Sequence, residues 1–134
     1  MSGASRWRGQ ATVEVALAFP TLLVVVLLVL QSALYVHALH VVRSAAQEGA
    51  RAAAADGATL AAGEARARTL LEAGLGRSGQ SLTVSRREDG QGVQVAISGS
   101  MGLLVAGPVR ALGLPLEAVG RATWESFVPT GGGA

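Results

Sequence analysis

The stretch Gly9–Leu39 reads GQATVEVALAFPTLLVVVLLVLQSALYVHAL, and it decides how the rest of the chain is organised. From Val15 to Leu30 only Pro20 and Thr21 interrupt the apolar residues. A helix needs about 20 predominantly apolar residues to span a bilayer. We therefore predict a transmembrane helix over residues 10–39, to which the remainder of the chain is attached.

The amino-acid composition limits the functions that the attached part of the chain can have. The chain has 134 residues, enough for one small domain beside the membrane segment, and it has no cysteine. A disulfide framework and a thiolate metal site are thereby excluded. If a leader of residues 1–9 is removed, Arg6 and Arg8 leave with it, and the remaining arginines equal the carboxylates in number. Phosphate binding needs a basic surface, so we expect no nucleic-acid partner.

Residues 1–9 are short, polar and basic, and they are too short to fold on their own. Arg6 and Arg8 favour a cytoplasmic N-terminus. Two interpretations of the apolar run compete. An ordinary signal peptide has an apolar region of 7–15 residues and a small-residue cleavage site, which Val36-His37-Ala38 would supply. The run is longer than that and begins with Glu14, which favours a membrane anchor.

The segment beyond the membrane, residues 40–128, predicts an exported α+β domain. Apolar residues recur at three- and four-residue steps on a stem helix over 40–56, and a second helix is predicted over 59–73. The period then changes to two, which is typical of strands. We predict antiparallel strands near 81–87, 92–98 and 116–127, with Trp124 facing the helices. Gly99–Pro115 is an apolar, glycine- and proline-rich loop, and residues 129–134 form a flexible tail.

No catalytic, cofactor-binding or metal site emerges from these residues. Gly74–Gly79 fits the letters of a dinucleotide fingerprint, but a predicted helix precedes it and a strand follows, the reverse of the required order. His37 and His40 lie three apart and could share a metal, but no third ligand is evident. We expect no enzyme, no cofactor and no small-molecule substrate.

Glu14 is the main candidate for a functional residue. A carboxylate within an apolar span costs about 2–3 kcal/mol on insertion and is a functional candidate by default. The alternative is that Glu14 lies at the headgroup level and is merely solvated. Pro20 lacks an N–H and predicts a helix kink. Glu48 and Arg51 are most simply an i,i+3 surface pair on the stem, with a role in docking partners as the second interpretation.

These residues are similar to those of a known family. Arg8-Gly9-Gln10-Ala11-Thr12-Val13-Glu14-Val15-Ala16-Leu17, a proline like Pro20, and Ala45-Ala46-Gln47-Glu48-Gly49-Ala50-Arg51-Ala52 resemble the TadE-like proteins, pseudopilins of tight-adherence (Flp-type) pilus systems. The resemblance is specific over about Arg8–Ala55. It implies cleavage between Gly9 and Gln10 by a prepilin peptidase, and an assembly role for Glu14.

The sequence therefore predicts a single-pass protein of the cytoplasmic (inner) membrane, with its N-terminus inside and its domain outside. By resemblance, it is a minor pilin or pseudopilin in assembly of a tight-adherence pilus or a related secretion apparatus. Its expected partners are the membrane, the prepilin peptidase, other pilins and the assembly platform. Whether it enters the extracellular filament stays open. The alternative is a signal-anchored or secreted small binding domain unrelated to pili, uncut or cut after Ala38.

Overall fold

The longest element of the structure is a helix of 51 residues, against which the sheet and a second helix pack. The computed structural model describes residues 4–55, 57–102 and 113–124, with side chains from residue 13 onward. A long apolar helix, further helices and an antiparallel sheet of three strands confirm the predicted α+β fold. In chain order the elements are α1 (Ala4–Ala54), α2 (Leu60–Leu75), α3 (Arg77–Gln80), β1 (Thr83–Asp89), β2 (Gly92–Gly102) and β3 (Gly113–Thr123).

Helix α1 begins at Ala4 and so includes part of the segment that we expected to be too short to fold. The expectation overlooked that extending an existing helix is far easier than starting a new one. The helix passes Pro20 without interruption and ends at Ala54. Gly57 follows with a φ of 71°, a left-handed conformation that suits a glycine after a helix end.

The C-terminal half of α1, from Gln31 to Ala54, packs between α2 and the sheet. The apolar stripe predicted from the three- and four-residue steps is buried at Ala38, Val42, Ala45 and Gly49, and Ala46, Ala50 and Ala53 beside it are buried as well. Glycine allows α2 to approach closely: a Cβ built on Gly63 would lie 2.5 Å from both the Ala53 Cβ and the Gly49 carbonyl oxygen. The stem and α2 therefore touch backbone to backbone, with no room for larger side chains.

The sheet has the order β1-β2-β3, and both strand pairs are antiparallel. Val93, Val95 and Ile97 are buried on the face toward the helices, as their alternation predicts. On β1 the helix-facing Arg86 forms an ion pair with Glu64 of α2. A charged side chain is therefore accommodated on this face through its partner on the helix.

Two strands are longer at one end than the sequence suggests. β2 continues to Gly102 and β3 begins at Gly113, so both ends of the predicted loop Gly99–Pro115 are strand. Residues 103–112 lie outside the described residues. The extension was not predicted because glycine and proline are typical of loops. In the structure, Gly99 leaves room for the side chain of Leu82. Pro115 is tolerated because β3 is an edge strand.

Trp124, which was predicted to face the helices from the third strand, lies beyond the end of β3 and outside the buried core. β3 ends at Thr123, and Trp124 follows with 38% of its surface exposed. Its backbone N–H donates to the Gln91 carbonyl, which closes the end of the sheet. Helix-facing positions alternate as predicted, and Leu116 and Gly120 are buried on that face. The strand simply stops one residue too early to carry the tryptophan into the core.

Candidate assembly site on the N-terminal helix

The N-terminal half of α1, up to Leu30, projects from the folded domain without partners among the described residues. From Val13 to Leu30 every side chain is exposed except Leu27, which is half-buried. The helix is long and apolar enough to cross a membrane, with a mean hydropathy of 2.7 in its most apolar window. A helix that is apolar all round needs an apolar environment, which lipid or neighbouring helices provide.

Glu14 lies at the start of this exposed section and is itself exposed. Cleavage between Gly9 and Gln10 would create an α-amino group on Gln10, one helical turn or about 6 Å along the axis from Glu14, and we predict that the two groups pair. The side chains of residues 4–12 lie outside the described part of the structure, so this pairing and the processing site at Gly9 and Gln10 stay predictions. Among the described side chains, none pairs with Glu14.

Pro20 interrupts the hydrogen-bond ladder within the exposed section. Because proline has no N–H, the carbonyl of Ala16 lacks its usual donor. The hydroxyl of Thr21 donates to the Leu17 carbonyl at 3.0 Å and reinforces the ladder directly beside this gap. The helix is continuous across the proline, and the kink stays a prediction.

A shallow apolar groove lies along the same section. It is lined by residues on both sides of Pro20: Val15, Leu17, Ala18, Phe19, Thr21, Leu22 and Val25. Small residues such as Ala18 and Thr21 let helix backbones approach one another in a membrane. The groove is thus suited to contact with a second apolar helix.

Glu48 and Arg51 form the surface ion pair that their spacing predicts, with a distance of 2.8 Å between Arg51 Nη1 and Glu48 Oε1. The Arg51 side chain is 69% exposed. Exposed pairs of this kind contribute about 0–1 kcal/mol to stability. Both groups are accessible from solvent, and their role in docking a partner stays a prediction.

His37 and the glycine-rich segment Gly74–Gly79 both lie at the C-terminal end of α2. His37 Nε2 lies 3.4 Å from the Gly74 carbonyl oxygen at the end of α2. Within residues 13–55, 57–102 and 113–124, no group of three or more His, Asp or Glu side chains is placed to hold a metal ion. Gly76 has a φ of 56° and separates α2 from α3, so Gly74–Gly79 comprises the end of α2, this junction and most of α3.

Sequence reasoning missed where the domain begins to cover α1. Gln31 is only 4% exposed, and the Tyr35 hydroxyl donates to the Pro115 carbonyl of β3 at 2.9 Å. Ala38 is 2% exposed within the core. The last part of the predicted span 10–39 therefore belongs to the packing of the domain. The signal was present, because Gln31, Tyr35 and Ala38 continue the buried stripe of α1 toward its N-terminus at helical spacing.

The fold and this site define an α+β protein in which one apolar N-terminal helix, among the described residues, is compatible with a single-pass membrane anchor. Residues 9–51 match the family model described as TadE-like protein, which confirms the resemblance drawn from the sequence over most of α1. This match supports a protein of tight-adherence (Tad) pilus systems in general. No curated protein and no solved structure matches the chain significantly.

Proposed function

We propose that this chain is a TadE-like minor pilin or pseudopilin that takes part in assembly of a tight-adherence (Flp-type) pilus or a related secretion apparatus. The observation that carries the proposal is the division of α1. Its half from Val13 to Leu30 is exposed and apolar, whereas its outer half is built into a folded domain. The match over residues 9–51 covers this same helix.

In this proposal the prepilin peptidase cuts between Gly9 and Gln10 on the cytoplasmic side of the inner membrane. Arg6 and Arg8 hold that end inside, and the α+β domain lies outside. The new α-ammonium and Glu14 then meet between neighbouring chains. Outside bulk water such a pair attracts strongly, and either charge left alone is penalised. The pair therefore fixes the register of helices that assemble with other pilins and the platform.

The protein acts through contacts and performs no catalysis in this proposal. The alternative of a secreted binding domain cut after Ala38 fits the structure less well. Such a cut would divide α1 at a residue that is 2% exposed, and it would remove Tyr35 together with its hydrogen bond to β3. An uncut, signal-anchored binding domain keeps those contacts, so processing distinguishes the two functions.

The test is mass spectrometry of the N-terminal peptide from native membranes, in cells with and without their prepilin peptidase. We expect a mature chain that begins at Gln10 only where the peptidase is present. A Gly9→Leu variant serves as the uncleaved reference, since the cut would fall after this residue. A chain that retains Met1 in both strains, or one that begins at Leu39, would contradict the proposal.

A further inference from the structure

Two contacts show that β3 runs alongside α1 in the same direction. The Tyr35 hydroxyl binds the Pro115 carbonyl, and Gly120 lies against the backbone of Ala46. The interval from Tyr35 to Ala46 on the helix is about 17 Å at 1.5 Å per residue. The interval from Pro115 to Gly120 on the strand is also about 17 Å at 3.3 Å per residue. The two axes are therefore nearly parallel.

This geometry sets the height of the end of the sheet along α1. Gly113 precedes Pro115 by two residues, or about 7 Å, and Gln31 precedes Tyr35 by about 6 Å. Gly113 pairs with Gly102 in the β2–β3 register, so both lie near the level of Gln31. We call Met101, Gly102, Gly113 and Leu114 the membrane-proximal end. Its position agrees with the burial of Gln31 beside an exposed Leu30.

The bilayer extends further than this level. From Glu14 to Gln31 the helix rises about 26 Å, whereas the hydrocarbon core is about 30 Å thick. With Glu14 at the inner headgroup boundary, the outer hydrocarbon boundary falls near Leu34. A tilt of about 20° moves it further still along the helix. The membrane-proximal end therefore lies within the outer boundary of the membrane instead of above it.

The distribution of charge along the sheet agrees with this position. β2 from Ser98 to Gly102 and β3 from Gly113 to Leu116 contain no charged residue. The first charged residue of these strands beyond that stretch is Glu117 of β3, opposite Ser98, and the others, Arg86, Arg87, Glu88 and Asp89 of β1 and Arg121 of β3, lie further toward the other end. Charged side chains in hydrocarbon are costly and rare. Among the described residues, the uncharged ends of β2 and β3 are thus the ones that the geometry brings to the lipid.

We propose that the membrane-proximal end is a second membrane-contact surface, seated at the boundary between the headgroups and hydrocarbon of the outer leaflet. The domain then rests on the bilayer instead of standing clear of it on a stem. The partner is a lipid surface. The inference rests on the proposed function in one respect, that α1 spans the membrane with its N-terminus inside, and it takes Glu14 to lie at the inner boundary of the hydrocarbon.

The absence of cysteine permits a direct test with single-cysteine variants. Gly102→Cys places a probe at the membrane-proximal end, and Gly90→Cys places a matched control in the β1–β2 turn. A Cβ at either glycine has no neighbour within 4 Å, so both sites accept a label. Val25→Cys marks the middle of the span. Each full-length variant is labelled with an environment-sensitive fluorophore and placed in phosphatidylcholine vesicles at high lipid excess.

In vesicles, the probe at position 102 should be quenched by lipids brominated near the headgroups and little by aqueous iodide. The probe at position 90 should be quenched by iodide and little by the brominated lipids. Equal iodide quenching at 102 and 90 would overturn the proposal. Shielding at 102 without bromolipid quenching would also overturn it, because protein would then be the cover. An aqueous probe at 25 would instead refute the membrane span itself, so the two failures are distinguishable.

Discussion

Gly120 is the position where the α1–β3 interface is most sensitive to a single methyl group. Replacement of glycine by alanine within a strand ordinarily stabilises a protein by about 0.5–1 kcal/mol, because glycine has more conformational freedom to lose. Here the added Cβ would collide with the carbonyl of Ala46 and lie 2.6 Å from the Gln47 amide nitrogen. These are backbone atoms, which cannot rotate aside. We therefore predict that Gly120→Ala destabilises the domain, with a sign opposite to the usual one.

The magnitude follows from the displacement that the methyl group requires. Extra methyl groups in packed cores cost about 1–3 kcal/mol, and a clash with backbone belongs at the upper end. Separation of two packed surfaces by 0.5–1 Å forfeits about a quarter to a half of their dispersion energy. Each 1 kcal/mol lowers the Tm of a domain of this size by about 4–8 °C. A loss of about 3 kcal/mol thus corresponds to a decrease of about 12–24 °C.

The assay is thermal unfolding of the full-length chain in detergent micelles, followed by circular dichroism. Gly102→Ala is the matched control, since it lies in β2 and its Cβ would meet nothing within 4 Å. We expect its Tm to equal or slightly exceed that of the wild type. A Tm for Gly120→Ala as high as that of the control would refute the close approach of β3 to the stem.

Three further changes test other contacts by the same measurement. Tyr35→Phe removes the hydrogen bond to β3 and should cost about 1 kcal/mol. Gly63→Ala should destabilise by about 1–3 kcal/mol through its clash with Ala53, although alanine normally favours a helix; a raised Tm would contradict the close packing of α2. Arg86→Ala removes the ion pair with Glu64, which is partly exposed, and should cost less than about 1 kcal/mol; a larger loss would mean that this pair is structural.

Periodicity predicted those parts of the fold in which one face of an element is buried along its length. The 3.6-residue stripe through Ala38, Val42 and Ala45 and the two-residue alternation of Val93 and Val95 both reflect such burial. The exposed half of α1 was predicted from a different signal, the length of the apolar run. A bilayer sets a minimum length for any helix that crosses it.

Features that depend on contacts between distant residues were not predictable in this way. Gly120 looks like any glycine in a strand until the backbone of Ala46 is placed against it. Pro115 suggested a loop because nothing in the sequence shows that its strand lies at the edge of the sheet. Trp124 had the correct alternation, but whether a strand continues for one more residue depends on its neighbours. Of the candidate site, the apolar section around Pro20 was predicted from the sequence, whereas the overlap of the domain with Gln31 was missed although Gln31, Tyr35 and Ala38 continue the stripe of α1 at helical spacing.

The assembly role of Glu14 is tested most directly by partner recovery from native membranes. Glu14→Leu, Glu14→Asp and, as a control for the loss of one exposed carboxylate, Glu72→Leu are each crosslinked and co-purified with partner pilins and the platform, beside a pilus count. Glu14→Leu should stay membrane-bound, because apolar area drives insertion and the desolvation cost of the carboxylate disappears. It should nevertheless lose partner recovery and pili, with Glu14→Asp intermediate and the control unchanged. Wild-type partner recovery and pilus number in Glu14→Leu would contradict the account and leave Glu14 as a solvated residue at the headgroups.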